Sequence, residues 1–193
     1  MAASLDIHIL EQGPSSFAEH GLIPISYIVS SRLDLEALRS GSVEEVPVKP
    51  FTKNYDDCVE DRPEELGNHH DVSKWVLIVA FSGDERVGGA IVAWASGHPI
   101  LENRMDLASI VDIRVRPELR GMGIGSAVFR GVVRWAASKG CAELRIETQD
   151  VNAGACRFYR AMGCTVHSIR EGFYGPEIDE AQLIWSLALG NPY

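Results

Sequence analysis

The chain has 193 residues, of which 46% are hydrophobic and 23% charged, the make-up of one ordinary globular domain with a sizeable core. No run approaches the ~20 apolar residues of a membrane span, and Met1-Ala2-Ala3-Ser4 lacks the basic start and apolar stretch of a secretory leader, so a cytoplasmic protein with no membrane partner is expected. A formal charge of -9 argues against a nucleic-acid partner, which needs clustered Lys and Arg, and suits a cationic one.

Leu5 to Leu10 alternates as a strand should, and Pro14 to Gly21 and Ser31 to Arg39 are expected to hold short helices. Between Gly41 and Asp71 the pattern dissolves. Pro47, Pro50 and Pro63 interrupt it, and Asp56, Asp57, Glu60, Asp61, Glu64 and Glu65 crowd together with Arg62 to offset them. This reads as a long acidic loop, about residues 41–71, inside a single domain spanning 1–193. Such a cluster is ordinarily a solvated surface. The alternative is a wall of an acceptor site that attracts an ammonium group, with Phe51 and Tyr55 offering aromatic faces to the cation.

Trp75 to Phe81 and Val87 to Ala95 read as a hairpin turning at Ser82-Gly83-Asp84, and the apolar run Ile110 to Val115 as a further strand. A helix over Ser126 to Lys139 ends at Gly140, and Leu144 to Thr148 alternates as another strand. Asn152 caps a helix that Gly163 stops, with Ala155, Phe158, Tyr159 and Met162 on one face. Thr165 to Ile169 and Ala181 to Leu189 are the last two strands. The order predicts an α/β (α+β) fold: a mixed, mostly antiparallel sheet with helices on both faces. Cys58, Cys141, Cys156 and Cys164 have no close paired spacing for zinc and read as buried free thiols. His69, His70 and His98 lack further ligands at suitable spacing, so no metal is expected.

The most informative stretch is Arg120-Gly121-Met122-Gly123-Ile124-Gly125-Ser126, between a strand and a helix. A glycine-dense turn there bares backbone N–H groups around an anion-sized hollow, and the helix behind adds roughly half a positive charge. A dinucleotide fingerprint would need a glycine where Ser126 stands, and a P-loop would need a lysine after the last glycine. The spacing that fits is Arg120, Gly123 and Gly125, with Gly121 as an extra. It resembles the diphosphate-binding signature of the GNAT superfamily of acyl-CoA N-acyltransferases. A second segment, Asn152-Ala153-Gly154-Ala155-Cys156-Arg157-Phe158-Tyr159 with a late Gly163, resembles that superfamily's other hallmark. One departure stands at Cys164, where the family usually has an aromatic residue. Ile110 to Val115, Glu147 to Asp150 leading into Asn152, and Pro50 to Asp56 look like streptothricin acetyltransferases.

The resemblance implies acetyl-CoA as cofactor, a small cationic amine as the other substrate, a GNAT-like sheet splayed ahead of the glycine turn and, at the level of the family, a homodimer. It implies main-chain bonds from Ile113, Arg114 and Val115 to the pantetheine arm. The diphosphate would sit on Arg120, Gly121, Met122, Gly123, Ile124, Gly125 and Ser126. Asn152 is an N-cap, a contact to the pantetheine amide, or both. Tyr159, a phenol with an ordinary pKa near ~10, is the general acid that protonates the leaving thiolate, against the bland reading of a core tyrosine. Asp112 or Glu147 takes the ammonium proton, or instead binds the cationic acceptor. Strand alternation sets Asp112 opposite Val111, Ile113 and Val115, and Glu147 opposite Leu144 and Ile146. Carboxylates so placed are commonly solvated or paired with arginine, here Arg114 and Arg145. Two other readings keep the donor: a protein or polyamine acceptor, and a non-catalytic acyl-CoA-binding module.

Overall fold

The computed structural model describes residues 6–190. Leu5, at the head of the first expected strand, and Met1-Ala2-Ala3-Ser4 lie outside the described residues. In chain order the elements are β1 (Ile7–Gln12), α1 (Phe17–Gly21), β2 (Tyr27–Leu33), α2 (Leu35–Arg39), β3 (Glu45–Lys53), α3 (Leu66–His69), β4 (Val76–Ser82), β5 (Glu85–Trp94), β6 (Leu107–Val115), α4 (Ile124–Ser138), β7 (Glu143–Gln149), α5 (Ala153–Ala161), β8 (Thr165–Arg170) and β9 (Gln182–Ala188). The chain divides into two compact units. One runs to Ile25, resumes over Tyr55–Leu144 and takes up the chain again from Leu189, and the other comprises Ser26–Asn54 and Arg145–Ala188.

In the first unit the strands lie in the order β1-β4-β5-β6. The hairpin expected from residues 75–95 is present, with Ser82 opposite Glu85 and Val76 opposite Val92. β5 then pairs antiparallel with β6, from Gly88 opposite Val115 to Trp94 opposite Ala108. Ile91 faces Asp112 and Val92 faces Ile110, so Val111 is an extra residue and β6 bulges there. One hydrophobic cluster gathers Phe17, Leu66, Trp75, Leu77, Val79, Ile91, Ala93, Leu101 and Leu107. The helix α4 buries Ile124, Val128, Phe129, Val132, Trp135 and Ala136, a stripe at helical spacing.

In the second unit β9 lies between β7 and β8, and β2 and β3 form a separate antiparallel ribbon. The Asn152 side chain accepts from the Ala155 N–H at 3.1 Å, which makes it the cap of α5. At the other end Cys164 N–H bonds Tyr159 O and Gly163 N–H bonds Arg160 O, each at 3.0 Å, a paired closure that ends the helix at Gly163 as the sequence predicts.

Two expectations need correction here. Residues 41–71 are not one long loop, because β3 fills Glu45–Lys53 and pairs with β2. Prolines misled the reading. Pro47 sits in a two-stranded ribbon, where each strand has an unpaired edge and a missing N–H is tolerated, and Pro50 falls where the register jumps from Val29–Phe51 to Ser31–Pro47. Nor does a helix begin at Ser31. Ser31, Arg32 and Leu33 finish β2, and Asp34 then caps α2 by accepting from the N–H groups of Glu36 and Ala37 at 2.9 and 3.1 Å. Among the described residues, no helix is long and apolar enough to cross a membrane.

Gly131, on α4, permits a close approach to the sheet. A Cβ added there would lie 2.8 Å from Ile78 Cγ2 and 3.0 Å from Ile9 Cγ2. Both atoms belong to stiff β-branched side chains that yield little. Gly131→Ala gains up to about 1 kcal/mol of helix propensity, but overpacking costs roughly 1–3 kcal/mol. A net loss of about 1 kcal/mol is expected, read as a lowered urea midpoint at unchanged m-value.

Candidate functional site

The glycine turn is built as a cradle. The strand β6 runs into a short 3-10 turn, Pro117–Leu119, and then into Arg120, Gly121, Met122 and Gly123. Gly121 and Gly123 have φ of +82° and +85°, the left-handed region that glycine enters without strain. A Cβ at either position would meet nothing within 4 Å, so the surface of the turn is open. Gly123 caps α4 with no side chain of its own, so the first-turn amides after it receive no side-chain cap. Met122 is exposed and Ile124 is buried. Arg120 is drawn inward: its Nε donates to Val115 O at 3.2 Å and its Nη2 to Pro24 O at 3.0 Å. The turn thus opens main-chain N–H groups at the start of a 15-residue helix, an arrangement that suits an anion.

Of the two surroundings expected for Asp112, solvated or paired with Arg114, the structure has the second. Side chains at Asp112 and Arg114 are almost fully buried, 7% and 2% exposed, while Val111, Ile113 and Val115 are the half-buried ones. The Asp112 carboxylate takes Arg114 Nε at 3.0 and 2.9 Å and faces His20 Nε2 at 2.9 Å. Arg114 goes on to Asp56 Oδ1 at 2.8 Å and to the carbonyls of Gly21 and Ile23 at 3.2 and 3.1 Å. Burial alone would push the Asp112 carboxyl upward, but His20 and Arg114 outweigh it and hold its pKa below the ordinary carboxylate value. Burial likewise opposes the Arg114 charge, and the two aspartates restore it. Sequence reading named the Asp112–Arg114 pairing and missed His20 and Asp56. The available signal was that two charges share a strand face whose neighbours Ile110 and Ala108 are core residues.

In the second unit, Glu147 lies half-buried on β7. Its Oε1 accepts from the Tyr174 hydroxyl at 2.8 Å, and Tyr174 Oη in turn accepts from Gln149 Nε2 at 2.8 Å. Tyr159 is 3% exposed, with its ring packed against Phe158 and Trp185 at centroid distances of 5.5 and 6.3 Å.

The thiols divide differently from expectation. Cys141, Cys156 and Cys164 are buried, but Cys58 is exposed. Burial pushes the Cys156 thiol up to about 12 and those of Cys141 and Cys164 up to about 11, so none is a thiolate at neutral pH. The His98 ring stands 5.1 Å from His70 and 5.6 Å from Trp75, an aromatic group. Burial, followed by the nearby His70, brings its pKa down to about 4 against a weaker pull from Asp61.

Comparison with known proteins places this geometry. The acetyltransferase (GNAT) family profile matches residues 41–164. The chain belongs to the acetyltransferase (GNAT) family. A thialysine N-epsilon-acetyltransferase from Bos taurus is 41% identical over 63 residues, 33% of this chain and 37% of that protein, so the chain spans little more than a third of that relative's length. A streptothricin acetyltransferase from Streptomyces lavendulae is 25% identical over 159 residues, 81% of this chain and 80% of that one. The fold matches a crystal structure assigned as a streptothricin acetyltransferase from Bacillus anthracis, in complex with acetyl coenzyme A. The TM-score there is 0.75 at 22% identity, over 95% of this chain and 99% of the other. The mixed α/β architecture, a mostly antiparallel sheet with helices, is therefore that of the family.

Two stability predictions come from these groups. Asp112→Ala strands a buried guanidinium and a buried imidazole, and is expected to cost about 3 kcal/mol or more in chemical denaturation. For His98, the unfolded chain takes up its proton near ~6.5 and the folded chain only near about 4. Stability is then level above about pH 6.5 and falls by up to ~3 kcal/mol as the pH drops to about 4, a limb that His98→Gln should flatten in denaturation series at stepped pH.

Proposed function

We propose that the chain is an acetyl-CoA-dependent N-acetyltransferase acting on a primary amine of a small cationic substrate, a streptothricin-like antibiotic or a related lysine-like amine, by direct transfer. The observation that carries this reading is the open left-handed turn at Gly121 and Gly123 at the head of α4, in a chain of the GNAT family. The names of relatives support an amine acceptor, one of them an ε-amine. The net charge of -9 supports a cationic one. On this reading the protein works in the cytoplasm and confers antibiotic resistance.

Acetyl-CoA supplies the activated acetyl group: its C–S bond breaks as a C–N bond to the amine forms, and the products are the acetamide, coenzyme A and the proton shed by the ammonium. Main-chain N–H groups of Gly121, Met122, Gly123, Ile124, Gly125 and Ser126 hold the diphosphate, with Arg120 fixing the turn. Main-chain groups of Ile113, Arg114 and Val115 align the pantetheine arm as an added strand would. Asn152 contributes a contact to that arm besides its capping bond. Tyr159 delivers the proton that the departing sulfur needs.

Between the two carboxylates, the hydrogen bonding favours Glu147 as the proton acceptor. Both oxygens of Asp112 are engaged by Arg114, and Oδ1 also by His20. Glu147 carries one bond, at Oε1. A saturated, doubly paired carboxylate is a poor base, and Asp112 is better suited to hold β6 in place.

The test is transfer from acetyl-CoA to streptothricin, spermidine and a lysine-containing peptide, read by product mass. Tyr159→Phe should lower kcat at least about tenfold while leaving acetyl-CoA affinity within about twofold. Full turnover in that variant removes Tyr159 as the acid, and a wild-type protein that transfers to none of the amines removes the assigned function.

A further inference from the structure

The segment between β8 and β9 opens with a turn bracketed by Gly172 and Gly175, whose φ values of +68° and +94° are both left-handed. The Gly175 N–H closes it by donating to Gly172 O at 3.2 Å. Beside it, Glu171 pairs with Arg39. Inside it, the Phe173 ring meets Tyr174 edge-on at 5.1 Å between centroids, and the Arg170 guanidinium lies 5.9 Å from the Phe173 centroid. The turn is therefore pinned on its N-terminal flank, and it delivers the Tyr174 hydroxyl to β7.

Glu147 and Gln149 are two residues apart on one strand and so share a face. Tyr174 Oη stands 2.8 Å from a carboxylate oxygen of the first and 2.8 Å from the amide nitrogen of the second. The inventory of donors fixes the direction of this relay. An ionised carboxylate only accepts and an amide nitrogen only donates, so the single phenolic proton must point at Glu147 while an oxygen lone pair takes Gln149. Among the described residues, Oε2 of Glu147 carries no hydrogen bond. A three-torsion side chain is thereby held by one oxygen, with the other left available.

We propose that Tyr174 is the positioning residue of the acceptor site: it fixes Glu147 through Oε1 so that Oε2 binds the substrate ammonium and takes its proton. The inference rests on the assignment of Glu147 as base. In the step, an N–H bond of the ammonium breaks, an O–H bond forms at Oε2, and the proton passes to solvent after the acetylated amine leaves. Tyr174 keeps its own proton throughout. Its effect is to remove the rotation that a long carboxylate side chain would otherwise have to give up on binding.

Steady-state kinetics of the whole chain with streptothricin and spermidine test this in four proteins: wild type, Tyr174→Phe, Glu147→Gln and the double variant. Tyr174→Phe is expected to lower kcat/KM for the amine about tenfold, chiefly through KM for the amine, while KM for acetyl-CoA stays within about twofold. In the Glu147→Gln background the same change should have an effect below about twofold, since the group it serves is already gone. Unaltered kinetics in Tyr174→Phe, equal losses in both backgrounds, or a parallel rise in KM for acetyl-CoA each overturn the proposal while leaving the enzyme assignment standing. Failure of the wild type to transfer to any amine overturns the enzyme assignment and this inference with it.

Discussion

The constraint on which the first unit depends is the burial of a charge pair on β6. Asp112 and Arg114 point to the buried side of a strand whose other residues are core, and neither charge tolerates that surrounding alone. A carboxylate and a guanidinium two residues apart satisfy each other only in part. Arg114 has five N–H donors, and the ones Asp112 does not use go to Asp56 and to the carbonyls of Gly21 and Ile23. Electrostatic bookkeeping on one strand thus determines the position of the chain around residues 20–23 and of the 3-10 turn at Tyr55–Asp57. His20, fully buried, completes the set by facing the same carboxylate.

That network also sets two strand carboxylates in different surroundings. Asp112 is held acidic and fully occupied by its neighbours, a state that stabilises a fold. Glu147 sits in the other unit on β7, half-buried, and is met by a neutral phenol and not by a guanidinium. A phenol orients a carboxylate without cancelling its charge, whereas a guanidinium neutralises it.

The sequence was most legible where the backbone itself carries the signal. Gly121 and Gly123 predict a turn, Gly163 a helix end, Asn152 a cap, and Ser82-Gly83-Asp84 a hairpin, because each residue type favours a particular local geometry. Where the outcome depends on partners far along the chain, it was hidden. β3 is a strand through what it pairs with, and its prolines argued locally for a loop. For Asp112 the choice between solvation and pairing stayed open, because alternation distinguishes two faces but not which of them is buried, and one of its partners, His20, is 92 residues away. Tyr174 lies in a segment, Phe173 to Glu177, whose sequence reads equally as part of an acceptor pocket or as a plain turn, because its partners stand 27 and 25 residues upstream.

The glycine turn is tied to the same stretch of backbone. An arginine next to glycines invites the reading that the cation meets a bound anion. In this chain the Arg120 guanidinium is instead committed to carbonyl oxygens, Val115 at the end of β6 and Pro24 across the turn. A positive charge within the turn still favours an anion nearby, since Coulomb attraction acts through the distance of a hydrogen-bonded shell. Main-chain N–H groups of such a turn have no rotamers to freeze and so lose no side-chain entropy on meeting an anion. Arg120 ties the turn to Pro24, and the backbone just before it, at Gly21 and Ile23, is held by Arg114. One buried ion pair and one exposed arginine therefore shape the same stretch of backbone, the first from the C-terminal end of β6 and the second from the turn that follows it.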